Sequence, residues 1–273
     1  MKKILNNKSI KNFYNILMTP AIRVLPGTLA FFIVLSIVPI LTLIAIICSK
    51  FSLSTENISN FFNIILPSGV EELLVSIFNN AGDNGISIWF IIIGFIFASN
   101  GAHSIIIASN TLYNIEDSGF LVRRIKSLFL TIILISLILI ILVVLAFGNI
   151  ILKFILTLKI FSAVSNNIYT LFIILKWPLA IINIFFLIKV IYTMAPDHSI
   201  PSKYVNKGSM FTTLGLVIST LVYSYYVNNI ANYSYIYGNL ANIIVLMMLV
   251  YVVSYFIVLG IAINANIYEL EKD

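Results

Sequence analysis

Long uncharged apolar runs alternate along this chain with short polar clusters rich in lysine and arginine. A helix needs about 20 apolar residues to cross the hydrocarbon core of a bilayer. Val24–Ser49 meets that length, and so does Ile86–Leu112, although Asn100, Gly101 and His103 interrupt it. Ser127–Leu152 is almost pure Leu and Ile, and Tyr169–Met194 carries Lys176 and Lys189. From Gly208 to Tyr268 no charged residue occurs, which is too long for one crossing and enough for two. Asn228, Asn229, Asn232, Ser234, Gly238 and Asn239 form a polar turn that splits this stretch into Gly208–Val227 and Leu240–Ala265. The pattern predicts an all-α polytopic membrane protein, a single membrane domain over residues 1–273. It has about six transmembrane helices, at about 24–49, 86–112, 127–152, 169–194, 208–227 and 240–265.

Two further segments show helical spacing at lower hydropathy, and both are expected to lie on the membrane as amphipathic interfacial helices. In the cytoplasmic leader 1–23, Ile4–Met18 sets Lys8 and Lys11 among Leu5, Phe13, Ile16 and Leu17, a basic amphipathic pattern. In the first outer loop Val70, Leu73, Leu74, Ile77 and Phe78 share a face opposite Glu71 and Glu72. A surface helix packing on the bundle explains that loop, and a lid or partner site is the sharper alternative.

Composition agrees with lipid as the main solvent. The chain is 60% hydrophobic and 10% charged, with a mean hydropathy of +1.07, whereas soluble domains carry about a quarter charged residues. The net charge of +6 would suggest nucleic acid if the cations were clustered in one domain. Instead Lys2, Lys3, Lys8, Lys11, Arg23, Arg123, Arg124, Lys126, Lys203, Lys207 and Lys272 fall in one set of alternate segments, and only Lys50, Lys153 and Lys159 in the other. That asymmetry places both termini in the cytoplasm and explains the basic balance without a nucleic-acid partner. The single cysteine, Cys48, excludes an intramolecular disulfide and a thiolate metal cage. The first apolar run begins only at Val24 and exceeds the about 7–15 residues of a secretory signal core, so it reads as an uncleaved helix.

Polar groups in lipid are costly and default to functional hypotheses. Asn100, His103, Ser104, Ile107, Asn110 and Thr111 share one stripe of the second span by their three-to-four spacing, with Ala98, Gly101, Ala102 and Ala108 small beside them. Interhelical hydrogen bonding in a packed bundle is one explanation, and a polar cavity in which His103 carries a proton is the other. Such small-residue faces also admit a homo-oligomer. Lys176 precedes Trp177-Pro178, where Pro178 removes a backbone donor and is expected to kink the helix, and shares its face with Asn183. It is either an anchor at the outer interface or a cavity residue that attracts anions, whereas Lys189 is expected to snorkel. Tyr223, Tyr225, Tyr226, Tyr233, Tyr235 and Tyr237 gather at the outer turn, as an aromatic belt or as a grip for a headgroup or sugar.

Several motifs in order along the chain resemble the YihY/BrkB family of bacterial inner-membrane proteins. Leu25-Pro26-Gly27-Thr28-Leu29-Ala30-Phe31-Phe32, then Ser36 and Pro39-Ile40-Leu41, is similar to the family's opening Leu-Ala-Tyr-Tyr…Ser-Leu-x-Pro, with phenylalanines for the tyrosines. Asn110, Tyr113 and Arg123-Arg124 resemble its Leu-Asn-x-x-Tyr and following basic loop. Tyr192, Pro196-Asp197, Pro201 and Gly208 resemble the entry to its fifth span. Tyr233…Tyr237-Gly238-Asn239-Leu240, Leu259-Gly260 and Asn264-Ala265 resemble its closing segment. Two departures stand out: the family commonly has a basic residue near Asn100, and Ile261-Ala262-Ile263 replaces an acidic stretch. The resemblance covers nearly the whole chain and implies a protein of the bacterial plasma (inner) membrane. Members are described as virulence factors, as envelope-lipid transporters and, by an old assignment generally regarded as mistaken, as ribonuclease BN.

A nuclease would need carboxylates or histidines gathered around metal ions. The two histidines, His103 and His198, show no ligand spacing, the inner loops are short, and no phosphate-cradling glycine loop is present. No catalytic residue, metal site or cofactor is therefore expected, and ribonuclease activity is disfavoured. Membrane lipids are the expected partners. The stripe, the proline-broken fourth span and the embedded lysine fit translocation of envelope lipids or other amphipathic or anionic molecules. The alternative is an envelope assembly or structural protein in which the same stripe only packs helices.

Overall fold

In lipid the backbone has no water to bond, so each spanning segment must close its own hydrogen bonds, and the long apolar runs fold as helices. The computed structural model describes residues 14, 18–50, 88–116, 118–142, 165–229 and 241–270. Six long helices make up almost all of them: α1 Pro20–Lys50, α2 Ile88–Leu112, α3 Phe120–Leu142, α4 Ser165–Met194, α5 Asn206–Asn229 and α6 Ala241–Leu270. The chain is all-α there, as expected. Among the described residues four stretches are long and apolar enough to cross a membrane: Pro20–Ile44, Ile91–Leu112, Trp177–Met194 and Ile244–Leu270. Helices α3 and α5 stand where the other two crossings were expected. Serines, threonines and tyrosines dilute α5, and the apolar run of α3 continues past its last described residue. The outer-loop segment 70–78 lies outside the described residues, as does the leader except for Tyr14 and Met18–Arg23.

Helix contacts run in a circuit, α1 against α2, then α3, α4, α5, α6 and back to α1. The buried cluster takes Ile22 and Leu29 from α1, Ile106 from α2, Ile191 from α4 and Val258 and Ile261 from α6. All of these lie towards one end of the bundle, the end at which α1 begins and α2, α4 and α6 finish. Two apolar gaps lie among the described residues nearer the other end. A groove of about 360 Å³ opens there between α5 and α6, lined by Ile218, Tyr223, Tyr226, Val245, Met248 and Phe256. A smaller gap of about 180 Å³ lies between α1 and α2 beside Pro39 and Phe97.

One boundary corrects the sequence reading. Arg123, Arg124 and Lys126 belong to the first two turns of α3, not to a loop before it. The chain leaves α2 through a left-handed residue, Asn114 at φ 51°. The Ile115 N–H donates back to the Asn110 carbonyl at 2.9 Å and the Asn114 N–H to the Thr111 carbonyl at 3.3 Å, the pairing that closes a helix end. Gly119, at φ 91°, turns the chain into α3. Phe120, Leu121 and Ile125 are then 63%, 74% and 69% exposed. Such a patch suits contact with lipid and is costly in water.

Many polar side chains in these helices are consumed locally. The hydroxyls of Thr28, Thr42, Thr111, Thr131, Ser209, Thr213 and Ser219 each donate to the carbonyl four residues earlier. That is how a helix carries serine and threonine into an apolar surrounding without an unmet donor.

Candidate functional site

Helix α2 carries the polar stripe, and the structure divides it into three local arrangements. Halfway along α2, Gly101 meets α1. Its N–H donates to Ser36 Oγ at 2.9 Å, and the same hydroxyl donates to the Phe97 carbonyl on α2 at 3.3 Å. A Cβ on Gly101 would stand 3.3 Å from Ser36 Oγ, so the small residue permits the approach. Ser104 is buried and donates to the Gly101 carbonyl at 2.8 Å. Ser36 is thus a helix-to-helix clasp, and Ser104 is closed on its own helix.

The second arrangement faces α3. Arg124 Nη1 donates to Asn100 Oδ1 at 2.9 Å, and Nη2 donates to the Ile96 carbonyl at 2.8 Å. One turn before Arg124, the Phe120 ring stands edge-on to His103 with centroids 6.2 Å apart. Asn100, His103 and Arg124 are half-buried, while Ile92, Ile93, Ile96 and Phe97 on the same part of α2 are exposed. Among the described residues no carboxylate pairs with the Arg124 guanidinium. A positive charge therefore rests against two neutral oxygens on a flank with an apolar border. The cation missing from this region in sequence is supplied from the next helix.

The third arrangement closes the tight end of the bundle. Asn110 Nδ2 donates to Asp197 Oδ2 at 2.8 Å, and the Asp197 N–H donates to Asn110 Oδ1 at 2.8 Å, a reciprocal pair between α2 and the α4–α5 connection. The Ser118 hydroxyl donates to the same carboxylate oxygen at 2.6 Å. Lys126 Nζ pairs with Asp197 Oδ1 at 3.1 Å and also reaches the Pro196 carbonyl. Burial alone would push the Asp197 carboxyl up. The hydrogen bonds from Ser118, Asn110 and Lys126 outweigh it and hold the group below the ordinary carboxylate value.

A fourth cluster, between α4, α5 and α6, gathers the later motif residues. The Gly208 N–H donates to Asn264 Oδ1 at 2.8 Å. The Tyr192 hydroxyl sits 2.6 Å from Thr212 Oγ1 and donates to the Ile257 carbonyl at 2.8 Å. A Cβ on Gly260 would run into Thr212 Oγ1 and the Tyr192 hydroxyl, and one on Gly208 into the Gly260 carbonyl and Asn264. Tyr192, Thr212 and Asn264 are buried, so this is a close-packed seam.

The other expected positions are scattered. The fourth helix is not broken at its proline: Pro178 lies inside a continuous α4 and is exposed, its missing donor being tolerated within the helix. Asn183 is half-buried there, while the side chain of Lys176 lies outside the described residues. Tyr225 is exposed and Tyr226 lines the larger groove; Tyr233, Tyr237 and Gly238 lie outside the described residues. Sequence reasoning left Asp197 as part of a motif and Arg124 and Lys126 as topology signals. A cue for the first was available, since Asp197 is the only acidic residue between Asp117 and Glu269.

Compared with known proteins, residues 19–273 match the family model described as virulence factor BrkB. The Bacillus subtilis (strain 168) protein YfkH, whose name calls it ribonuclease-like, is 29% identical over 248 residues, 89% of either chain. No solved structure matches the chain.

Proposed function

The chain belongs to the BrkB virulence-factor family, and from that premise we propose that this multi-pass membrane protein translocates envelope lipids or other amphipathic anions across the bacterial plasma membrane, with both termini cytoplasmic. One observation carries the reading. Arg124 stands beside the middle of α2, held by Asn100 and the Ile96 carbonyl and matched by no carboxylate among the described residues. Ionisable groups at membrane depth are expensive unless they pair or face a polar path. The exposed apolar residues on both sides allow chains to remain in lipid while a polar headgroup passes along the α2–α3 flank. Asn100 and His103 belong to that route. Ser104 and Asn110 do not, because structural bonds consume them.

The test is lipid movement in liposomes that hold purified protein and fluorescent phospholipids. Movement above protein-free vesicles, reduced in folded Arg124→Gln and Asn100→Leu variants, is the expected result. Absence of movement with every anionic and zwitterionic lipid sends the weight to an assembly role, in which Arg124 only straps α3 to α2. The ribonuclease-like name of YfkH belongs to that protein. Sustained RNA cleavage by the purified chain here would displace the transport reading.

A further inference from the structure

The Arg124 site has the chemistry of a phosphate receptor. A guanidinium carries five N–H donors in a planar fork that matches phosphate oxygens. Two of the five are engaged, with Asn100 Oδ1 and the Ile96 carbonyl. No further partner for this side chain exists among the described residues. Both engaged oxygens are neutral, so they orient the fork without cancelling its charge. Charge-assisted bonds of this kind are stronger than neutral ones where water is scarce.

The surroundings decide which phosphate. Leu121, Ile125, Phe129 and Ile132, at four- and three-residue intervals, form an exposed stripe along α3. Ile92, Ile93, Ile96 and Phe97 do the same along α2. A free inorganic anion would have to reach the site across this lipid-facing border, whereas a glycerophospholipid brings to it acyl chains that lie on the same apolar stripes. We infer that Arg124 binds the phosphate of an anionic glycerophospholipid, whose chains lie along the α2 and α3 stripes and whose headgroup is oriented by the Asn100-held guanidinium. The inference deepens the reading above, on which it rests for the route, and it names the lipid class.

A substitution that preserves the strap while removing the charge separates this role from packing. Asn100→Asp keeps the side-chain shape and the contact with Arg124 but supplies a carboxylate that neutralises it. The experiment uses the full chain in nanodiscs of phosphatidylglycerol and phosphatidylcholine, with native mass spectrometry to read which lipid stays bound. The wild type is expected to retain phosphatidylglycerol preferentially. Arg124→Gln and Asn100→Asp are each expected to lower that preference about tenfold, the effect of losing about 1.4 kcal/mol. Arg124→Lys should keep part of it, and Lys207→Gln, at an exposed cation, should keep all of it. Wild-type preference in Asn100→Asp overturns the inference, as does equal loss in Lys207→Gln. Displacement of the lipid by millimolar inorganic phosphate would overturn the assignment to a lipid. Intact preference without lipid movement in liposomes would sink translocation alone, and movement without preference would sink this inference alone.

Discussion

Asp197 ties together two helices and two connections through one carboxylate. It accepts from Asn110, Ser118 and Lys126, while its own N–H returns a bond to Asn110. Hydrogen bonds to a charged group contribute about 1.5–3 kcal/mol each when buried, less where a partner is half-exposed as Lys126 is. Asp197→Ala is therefore expected to destabilise the protein by about 2–3 kcal/mol, read as a lower thermal midpoint in detergent. The pH dependence has a definite sign. The folded carboxyl is held below its ordinary 3.8, so its contribution is fully present above that pH and is lost as pH falls through the lower folded value. The wild type should lose stability across that acid window more steeply than Asp197→Asn, which has no proton to gain at this position. Parallel curves for the two proteins would show that the clasp does not contribute.

At the scale of elements, the α5–α6 seam shows why glycine recurs in these motifs. Between helices in lipid the hydrophobic effect gives little attraction, so close approach and hydrogen bonds must hold them. Gly208 and Gly260 permit that approach, and Asn264, Thr212 and Tyr192 bond across it. Overpacking a tight core costs about 1–3 kcal/mol and occasionally more. Gly260→Ala should fall at or above the top of that range, because both groups the new methyl meets are themselves hydrogen-bonded. Thr212→Val, which loses a hydroxyl but not volume, should cost about 1 kcal/mol. A Gly260→Ala protein as stable as the wild type would mean the seam can open without loss.

For the whole molecule, the distribution of lysine and arginine predicts an orientation in which α1 starts on the cytoplasmic side. Ser199, exposed in the α4–α5 connection, reports on this. In a Cys48→Ser background, Ser199→Cys is expected to react with an impermeant maleimide only after the cells are opened. Labelling in intact cells would invert that orientation. Among the described residues, the buried cluster and the Asp197 clasp lie towards one end of the bundle, and the α5–α6 groove and the α1–α2 gap towards the other.

The sequence alone determined the all-α class, the places of the six helices and the sign of the charge asymmetry, because hydropathy and length are properties of contiguous residues. The α2 stripe was legible for the same reason, since residues three and four apart share a face on any helix. What each polar residue does was decided only in three dimensions. Ser104 and Asn110 look equivalent to Asn100 along the stripe, yet one bonds its own helix, one meets Asp197 and one holds Arg124. The start of α3 escaped the reading because charged residues mark loops by composition. Arg124 and Lys126 are helical here because their charges find partners on neighbouring elements while Phe120, Leu121 and Ile125 face outward. Pairing between residues far apart in the chain carries no periodic signal, so only the packed structure could show that a cation lacking near Asn100 is supplied by the next helix.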